Sequence, residues 1–444
     1  MNNPPEAQFA VSREATSGRD ALPGHIPALD GLRGLAVLLV LCYDCLKIPA
    51  GGGLIVLLSR KMAAFGWIGV DLFFVLSGFL ITGILLDTVG KRGYWKSFIL
   101  RRALRIFPLY YATLLLVFVV LPALATAMRW GELNEWLAAA RADQLWYWMY
   151  AQNWLFAWRG LWPEERVLNH FWSLAVEEQF YLVWPLLLCC CRGKRLVAIC
   201  LGLCGLALGL RCVLLLQGQP PVTPFVMTIT RMDSLCAGAL LALGVRSAFW
   251  RRQGVRWAPW CFPGALLLVF GLDAAFPILK SESLAAGSLG HTLIALLFVS
   301  LIAALLAIPD RHPLSRLFCG RVLILCGKYS YAIYVFHRAM YYCVRELNWE
   351  SVPETLRPWA IFMATLGASL VAAHISWLLL EGPCLSLKKY VPRPDAEGEP
   401  PRVEPPLDPE HQHSGELGTR LPYPSIVTTR PSPGKPRQEA PQRV

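Results

Sequence analysis

The sequence predicts an all-α polytopic membrane protein with about ten transmembrane helices. Of its 444 residues, 55% are hydrophobic and only 16% charged, a balance too apolar for a soluble globule. Runs of about twenty apolar residues recur, each long enough to cross a hydrocarbon layer. Over such lengths in lipid, only helices satisfy their own backbone groups.

The runs start, in order, near Leu32, Gly66, Pro108, Phe171, Leu196, Phe225, Pro259, Ser288, Val322 and Pro358. The first is short and carries ionisable residues. The net charge of +12 is distributed in step with the runs. The stretch from Val89 to Phe107 holds Lys91, Arg92, Lys96, Arg101, Arg102 and Arg105. Later alternate loops hold Arg192, Lys194 and Arg195, then Arg246, Arg251, Arg252 and Arg256, then Arg311, Arg316 and Arg321. Intervening loops are poorer in basic residues or mix them with acids, as Glu164-Glu165-Arg166 does. This alternation is what the positive-inside rule predicts for ten crossings with both termini cytoplasmic. The basic excess is thus an orientation signal, with anionic lipid contact a secondary reading, and it does not call for nucleic acid.

Residues 1–27 form a polar cytoplasmic segment without the pattern of a cleaved signal peptide. Residues 28–389 form the membrane domain. Residues 390–444 are Pro-rich with few aliphatics, which predicts a disordered cytoplasmic tail. The cysteines lie mostly inside the runs as small apolar residues, in no zinc-ligand spacing, so no metal is expected. The outer loop from Arg129 to Asn169 is rich in Trp and Tyr. It reads as an interfacial aromatic belt or as a platform for sugar rings.

Ionisable residues inside a membrane are expensive and point to function. Arg33 and Asp44 share one face of the first helix, roughly 16 Å apart along its axis. They mark the two ends of a buried polar path. Asp71 lies in the outer third of the second crossing. His170 opens the fourth from outside, with Glu177 and Glu178 about two turns deeper. Arg231 and Asp233 sit in the outer part of the sixth, and His337 is mid-to-outer in the ninth. Arg33, the Arg101–Arg105 cluster and Glu381 mark the inner side. Asp44 or Asp71 could form a structural ion pair with Arg231. A column that is basic at one end and acid/His at the other fits two classes. One is a transporter or proton relay. The other is a transmembrane group-transfer enzyme, taking an activated anionic donor from the cytoplasm to an acceptor outside.

Seven segments occur in an order that closely resembles the acyltransferase-3 family. They are LDGLRGLAVLLVL, GVDLFFVLSGFLITGIL, FILRRALRIFPLYY, NHFWSLAVEEQFYLVWP, RMDSLCAGALLAL, KYSYAIYVFH and ISWLLLEGP. The resemblance runs from about Pro27 to Lys389 and implies a ten-helix core. It also implies an acyl-CoA donor, usually acetyl-CoA, and transfer to a carbohydrate or lipid-linked glycan hydroxyl. The family places an arginine, ten residues, then a histidine regarded as catalytic. Here Arg33 is followed at that spacing by Asp44, with Tyr43 as the usual neighbour.

Removing a hydroxyl proton suits an imidazole, and a solvated carboxylate is roughly 2.5 units weaker as a base. Three alternatives follow. Asp44 is a base retuned by burial or by a neighbouring carboxylate such as Asp71. His337 or His170 takes over, with Asp44 orienting the ring. Or the protein binds or moves a glycan without transferase chemistry. Arg33, Arg101, Arg102 and Arg105 suit the phosphates of coenzyme A, because guanidinium groups bind phosphate bidentately. Ser77 and its neighbours Gly78 and Phe79 allow close approach of a pantetheine arm or of another helix. Glu177 and Glu178 are expected on the acceptor side or beside His170. The sequence does not set the oligomeric state.

Overall fold

The computed structural model describes residues 25–394, apart from 50, 52, 130–137, 139–140, 164–166, 281–282 and 393. The N-terminal segment up to residue 24, the tail beyond 394 and the 164–166 loop lie outside the described residues. The first part of the chain forms α1 (Pro27–Cys45), α2 (Leu54–Phe65), α3 (Ile68–Thr88), α4 (Tyr94–Leu115) and α5 (Leu121–Ala127). After these come α6 (Gln144–Trp148), α7 (Gln152–Arg159), α8 (Phe171–Cys190), α9 (Lys194–Leu216), α10 (Val222–Val226) and α11 (Met232–Val245). The last part adds α12 (Val255–Ala275), α13 (His291–Ala307), α14 (Pro313–Phe318), α15 (Arg321–Lys328), α16 (Ser330–Arg345), α17 (Arg357–Ser376) and α18 (Gly382–Ser386). The described residues are helical and contain no strand.

Seven described helical segments are long and apolar enough to cross a membrane: Ile68–Thr88, Tyr94–Ala127, Phe171–Cys190, Lys194–Leu216, Trp250–Ala275, Ala286–Ala307 and Arg357–Tyr390. The expected count of about ten is therefore not reached by length and composition alone. The other three expected crossings fall on α1 and on two broken helices. α1 carries Asp30, Arg33 and Asp44. The run near Phe225 is split into α10 and α11, joined by a 3₁₀ turn at Ile229–Arg231. There the Thr230 hydroxyl bonds to the carbonyls of Pro224 and Met227, each at 2.7 Å, and so satisfies the opened backbone. The run near Val322 is broken at Tyr329, between α15 and α16. These three segments carry much of the polar chemistry.

Helix α1 and the α15–α16 pair run parallel with a constant register. A Cβ built on Gly34 would lie 2.0 Å from the Leu323 carbonyl oxygen, and one on Gly327 would lie 1.9 Å from that of Asp30. Only glycine permits this approach. Gly34 faces Gly327, and the same offset of 293 residues brings Asp44 opposite His337. A second close crossing joins α3 and α11. A Cβ on Gly78 would sit 1.9 Å from the Leu235 oxygen, and one on Gly238 would sit 2.1 Å from that of Val75. Gly78 therefore serves helix packing. Apolar side chains such as Phe74, Tyr110, Phe171 and Trp184 fill one core cluster, and Phe79, Phe298 and Leu301 belong to a second.

Candidate functional site

At the C-terminal end of α1, Asp44 joins two residues of α16. Its Oδ2 accepts from His337 Nε2 at 3.0 Å, and its Oδ1 accepts from Arg338 Nη2 at 3.0 Å. The other ring nitrogen of His337, Nδ1, donates to the Tyr334 carbonyl at 2.7 Å. Both nitrogens of His337 thus face oxygen acceptors. The His337 side chain is fully buried, whereas that of Asp44 keeps 10% exposure, so Asp44 is the member that meets the outside.

His170, immediately before α8, stands beside this pair. Its ring centroid lies 4.7 Å from that of His337. His170 Nε2 donates to the Val335 carbonyl at 3.3 Å, which leaves Nδ1 as the ring's bare nitrogen. That Nδ1 is buried with no hydrogen-bond partner among the described residues.

A cavity runs along α8 from the Ser173–Tyr334 pair, next to this cluster, toward Arg33 in the first half of α1. Ser173, Glu177 and Tyr181 line it at i, i+4 spacing, one face of the helix. Ser77 from α3, Arg102 from α4, Ser330, Tyr331 and Tyr334 from α16 and Arg33 from α1 complete its polar lining. Near His170 the wall is the Ser173–Tyr334 hydroxyl pair, 2.6 Å apart, and deeper it is the Ser77–Tyr181 pair, also 2.6 Å apart. Arg102 lies over the Tyr181 ring, 5.6 Å from its centroid. Arg105 stands within electrostatic reach of both Arg33 and Arg102, so three guanidinium groups converge at this end.

The site residues expected from sequence divide into groups. Asp44, His337 and His170 meet at one end, while Arg33, Arg102, Arg105, Ser77 and Glu177 gather toward the other. Glu177 stands beside Arg33 and Arg102 rather than beside His170, because seven helical residues separate it from His170 by about 10 Å. Glu178 faces Tyr110, Tyr111, Tyr150 and Tyr331 and also stands within electrostatic reach of Arg102. Arg101 points elsewhere and donates to the Val391 carbonyl at 2.7 Å.

Asp71 is not beside Asp44. It accepts from Arg231 Nη2 at 2.7 Å and from Ser234 Oγ at 2.8 Å, with both members of the ion pair fully buried. Asp233 pairs with Arg211 at 2.7 Å in the same region. Sequence reasoning passed over Arg211, His291, Arg338 and Tyr334. An arginine inside the apolar α9 was a readable signal. Arg338, directly after His337, was readable only once its partner was known. The aromatic loop contributes stacked rings, with Tyr111 and Trp148 5.9 Å apart at 8° and Tyr110 and Tyr150 4.0 Å apart at 17°.

The family profile described as an acyltransferase domain matches residues 26–378. The peptidoglycan O-acetyltransferase OatA of Listeria monocytogenes is 30% identical over 381 residues, covering 81% of this chain and 56% of the relative. A Bacillus subtilis protein provisionally named peptidoglycan O-acetyltransferase YrhL is 30% identical over 393 residues, covering 81% of this chain and 55% of its own length. The chain thus spans little more than half the length of these relatives. No solved structure matches it significantly. The profile covers most of the chain, on the elements that build the cavity and the Asp44–His337 pair, and the chain therefore belongs to the acyltransferase-3 family.

Proposed function

We propose that the protein is a membrane O-acyltransferase that moves an acyl group, in the first place acetyl, from acyl-CoA to a glycan hydroxyl. The observation that carries this reading is one cavity lined by Arg33 and Arg102 at one end and by Ser173 and Tyr334 at the other, where the Tyr334 carbonyl accepts from His337, the partner of Asp44. Arg33, Arg102 and Arg105 suit the phosphates of coenzyme A, and the cavity suits the thin arm that ends in the thioester. The orientation expected from the basic loops puts these arginines and both termini on the cytoplasmic side and Asp44 on the outer side, with ten crossings. The family relatives are named for O-acetyl transfer, two of them to peptidoglycan, which supports a glycan acceptor.

The step needs a base and an attacking hydroxyl. Asp44 takes the hydroxyl proton, while His337 and Arg338 hold the carboxylate in place. The hydroxyl oxygen bonds to the thioester carbonyl carbon. The tetrahedral intermediate then breaks its carbon–sulfur bond, and the thiolate takes the proton back from Asp44 and leaves as free coenzyme A. A second reading, favoured by the bare Nδ1, has His170 take the proton with the Asp44–His337 pair behind it.

The test is thiol release from acetyl-CoA by the protein in lipid, with envelope glycans as acceptor. For Asp44→Asn, release is expected to fall by about 10²–10⁴-fold, the usual worth of a positioned base. Full activity in Asp44→Asn together with loss in His170→Asn would transfer the role to His170. A wild-type protein that binds glycans but releases no thiol with any acceptor or acyl donor would refute transferase chemistry. It would leave a binding or transport protein.

A further inference from the structure

The Ser173–Tyr334 hydroxyl pair in the cavity wall has more contacts than it has protons. The Tyr334 hydroxyl lies 2.9 Å from the His170 carbonyl oxygen, and Ser173 Oγ lies 3.1 Å from the same oxygen. The two hydroxyls are themselves 2.6 Å apart. Two hydroxyl protons can fill only two of these three contacts. The His170 carbonyl also accepts from the Ser173 N–H at 3.3 Å, so it keeps a donor when a hydroxyl turns away. Both side chains are buried, and Val70, Phe73, Phe74 and Leu174 are apolar members of the same cavity lining. In such surroundings a hydroxyl donor acts more strongly than it does in water. Tyr334 also touches the groups around Asp44. Its backbone carbonyl accepts from His337 Nδ1 at 2.7 Å, and its ring centroid lies 5.1 Å from that of His170 and 5.7 Å from that of His337.

We infer that Ser173 and Tyr334 are the oxyanion donors of the acyl-transfer step. This inference rests on the acyl-transfer reading and supplies the half of its chemistry that a base does not perform. When the acceptor oxygen bonds to the thioester carbon, the π pair of the carbonyl moves onto its oxygen while Asp44 holds the acceptor's proton. That oxygen needs donors that face the cavity at the Asp44 end. The other polar side chains of the lining are placed elsewhere. Tyr331 donates to the Ile106 carbonyl at 2.8 Å, and Ser77 is paired with Tyr181 deeper in the cavity. Ser330 lies one turn before Tyr334 on α16, toward Gly327 and the Arg33 end. Arg338, outside the lining, is held on Asp44 Oδ1. Ser173 from α8 and Tyr334 from α16 come from two helices to one point of the wall. Turning both O–H groups from the His170 carbonyl into the cavity gives two donors to one oxygen. On collapse the carbon–oxygen double bond re-forms and the carbon–sulfur bond breaks, its electron pair going to sulfur. The thiolate takes the proton from Asp44, and the two hydroxyls turn back to His170.

The experiment uses the full chain in lipid nanodiscs with a ketone analogue of acetyl-CoA, in which a methylene replaces the thioester sulfur. The analogue is isotope-labelled at its carbonyl, and the carbonyl stretch is read free and bound by difference infrared spectroscopy. Bound to the wild type, the stretch is expected at lower frequency than in solution, because two donors polarise the carbonyl. Tyr334→Phe keeps the ring and removes one donor, so it should give back part of that shift. Tyr334→Phe/Ser173→Ala should abolish it. Each single variant should lose about 10²–10³-fold in kcat, the cost of removing one oxyanion donor, with the affinity for the analogue little changed. Thiol release from acetyl-CoA and thermal unfolding are measured on the same preparations, so that turnover is counted per folded molecule. Lost turnover with an unchanged bound carbonyl stretch would make the pair a packing joint and overturn the assignment. So would full turnover per folded molecule in the double variant. Either result, with thiol release by the wild type, removes the oxyanion role and leaves the transferase. A wild type that binds the analogue but releases no thiol from any acyl donor removes both.

Discussion

Asp71 is fully buried, and Arg231, Ser234 and His291 surround its carboxylate. Arg231 in turn lies against the rings of Phe74, Trp172 and Phe225. Asp44 also meets an arginine and a histidine, but it lies at the mouth of the site and keeps some exposure. The two carboxylates are therefore expected to fail differently. Asp71→Ala leaves a buried guanidinium uncompensated and should cost about 3–5 kcal/mol of stability. Thermal unfolding in nanodiscs should record that as a clear fall in melting temperature and in yield of folded protein. Asp44→Asn should lose turnover with a much smaller thermal shift. A large loss of stability in Asp44→Asn and little in Asp71→Ala would reverse the assignment. Sequence alone could place both aspartates in the outer half of the membrane. It could not tell them apart, because the distinction lies in which partner each meets across sequence separations of 160 and 293 residues.

Between elements, the pairing of Asp44 with His337 depends on how α1 lies against α15 and α16. Gly34 and Gly327 let the two backbones touch, and each is ten residues before the polar partner on its own chain segment. Ten residues are about 15 Å of helix along α1, and the matching ten pass from α15 through the break at Tyr329 into α16 while keeping the same offset of 293 residues at the site. Gly327→Ala would place a methyl group on the Asp30 carbonyl and force the helices apart. Overpacking of this kind destabilises by about 1–3 kcal/mol. The expected outcome is a lower melting temperature together with a fall in thiol release beyond what reduced folding explains. Unchanged turnover per folded molecule would mean that the register is held elsewhere. The motif order identified the segments that meet here, but a single sequence gives no helix pairing. The glycines read from it only as small residues available for close packing. The breaks at Tyr329 and before Ile229 were also hidden, because apolar runs of crossing length mask the polar contacts that hold a broken helix.

Over the whole molecule, the proposed donor and acceptor ends lie at opposite ends of one cavity, and the proposed transfer requires passage along it. Arg33 and Arg102 stand at one end and the Ser173–Tyr334 pair at the other, with Ser77 and Glu177 also in the wall. Binding and passage should therefore separate by mutation. Arg102→Gln removes a cation from the donor end and should raise the KM for acetyl-CoA by about tenfold, the worth of one lost charged hydrogen bond. Its kcat should change less. Ser77→Leu instead puts a branched side chain into the wall and removes the hydroxyl bonded to Tyr181. It should lower kcat by about 10²-fold, the range expected when a reacting group is misplaced by about 1 Å, with a smaller effect on donor affinity. Affinity is read by equilibrium binding of a non-hydrolysable acetyl-CoA analogue and turnover by thiol release. If Ser77→Leu lost affinity and turnover in proportion, the cavity would be part of the donor's phosphate site. If it lost neither, the acyl arm would reach Asp44 by another route. The split expected here, affinity at the arginines and rate at Ser77, is the behaviour of a passage that joins two binding ends.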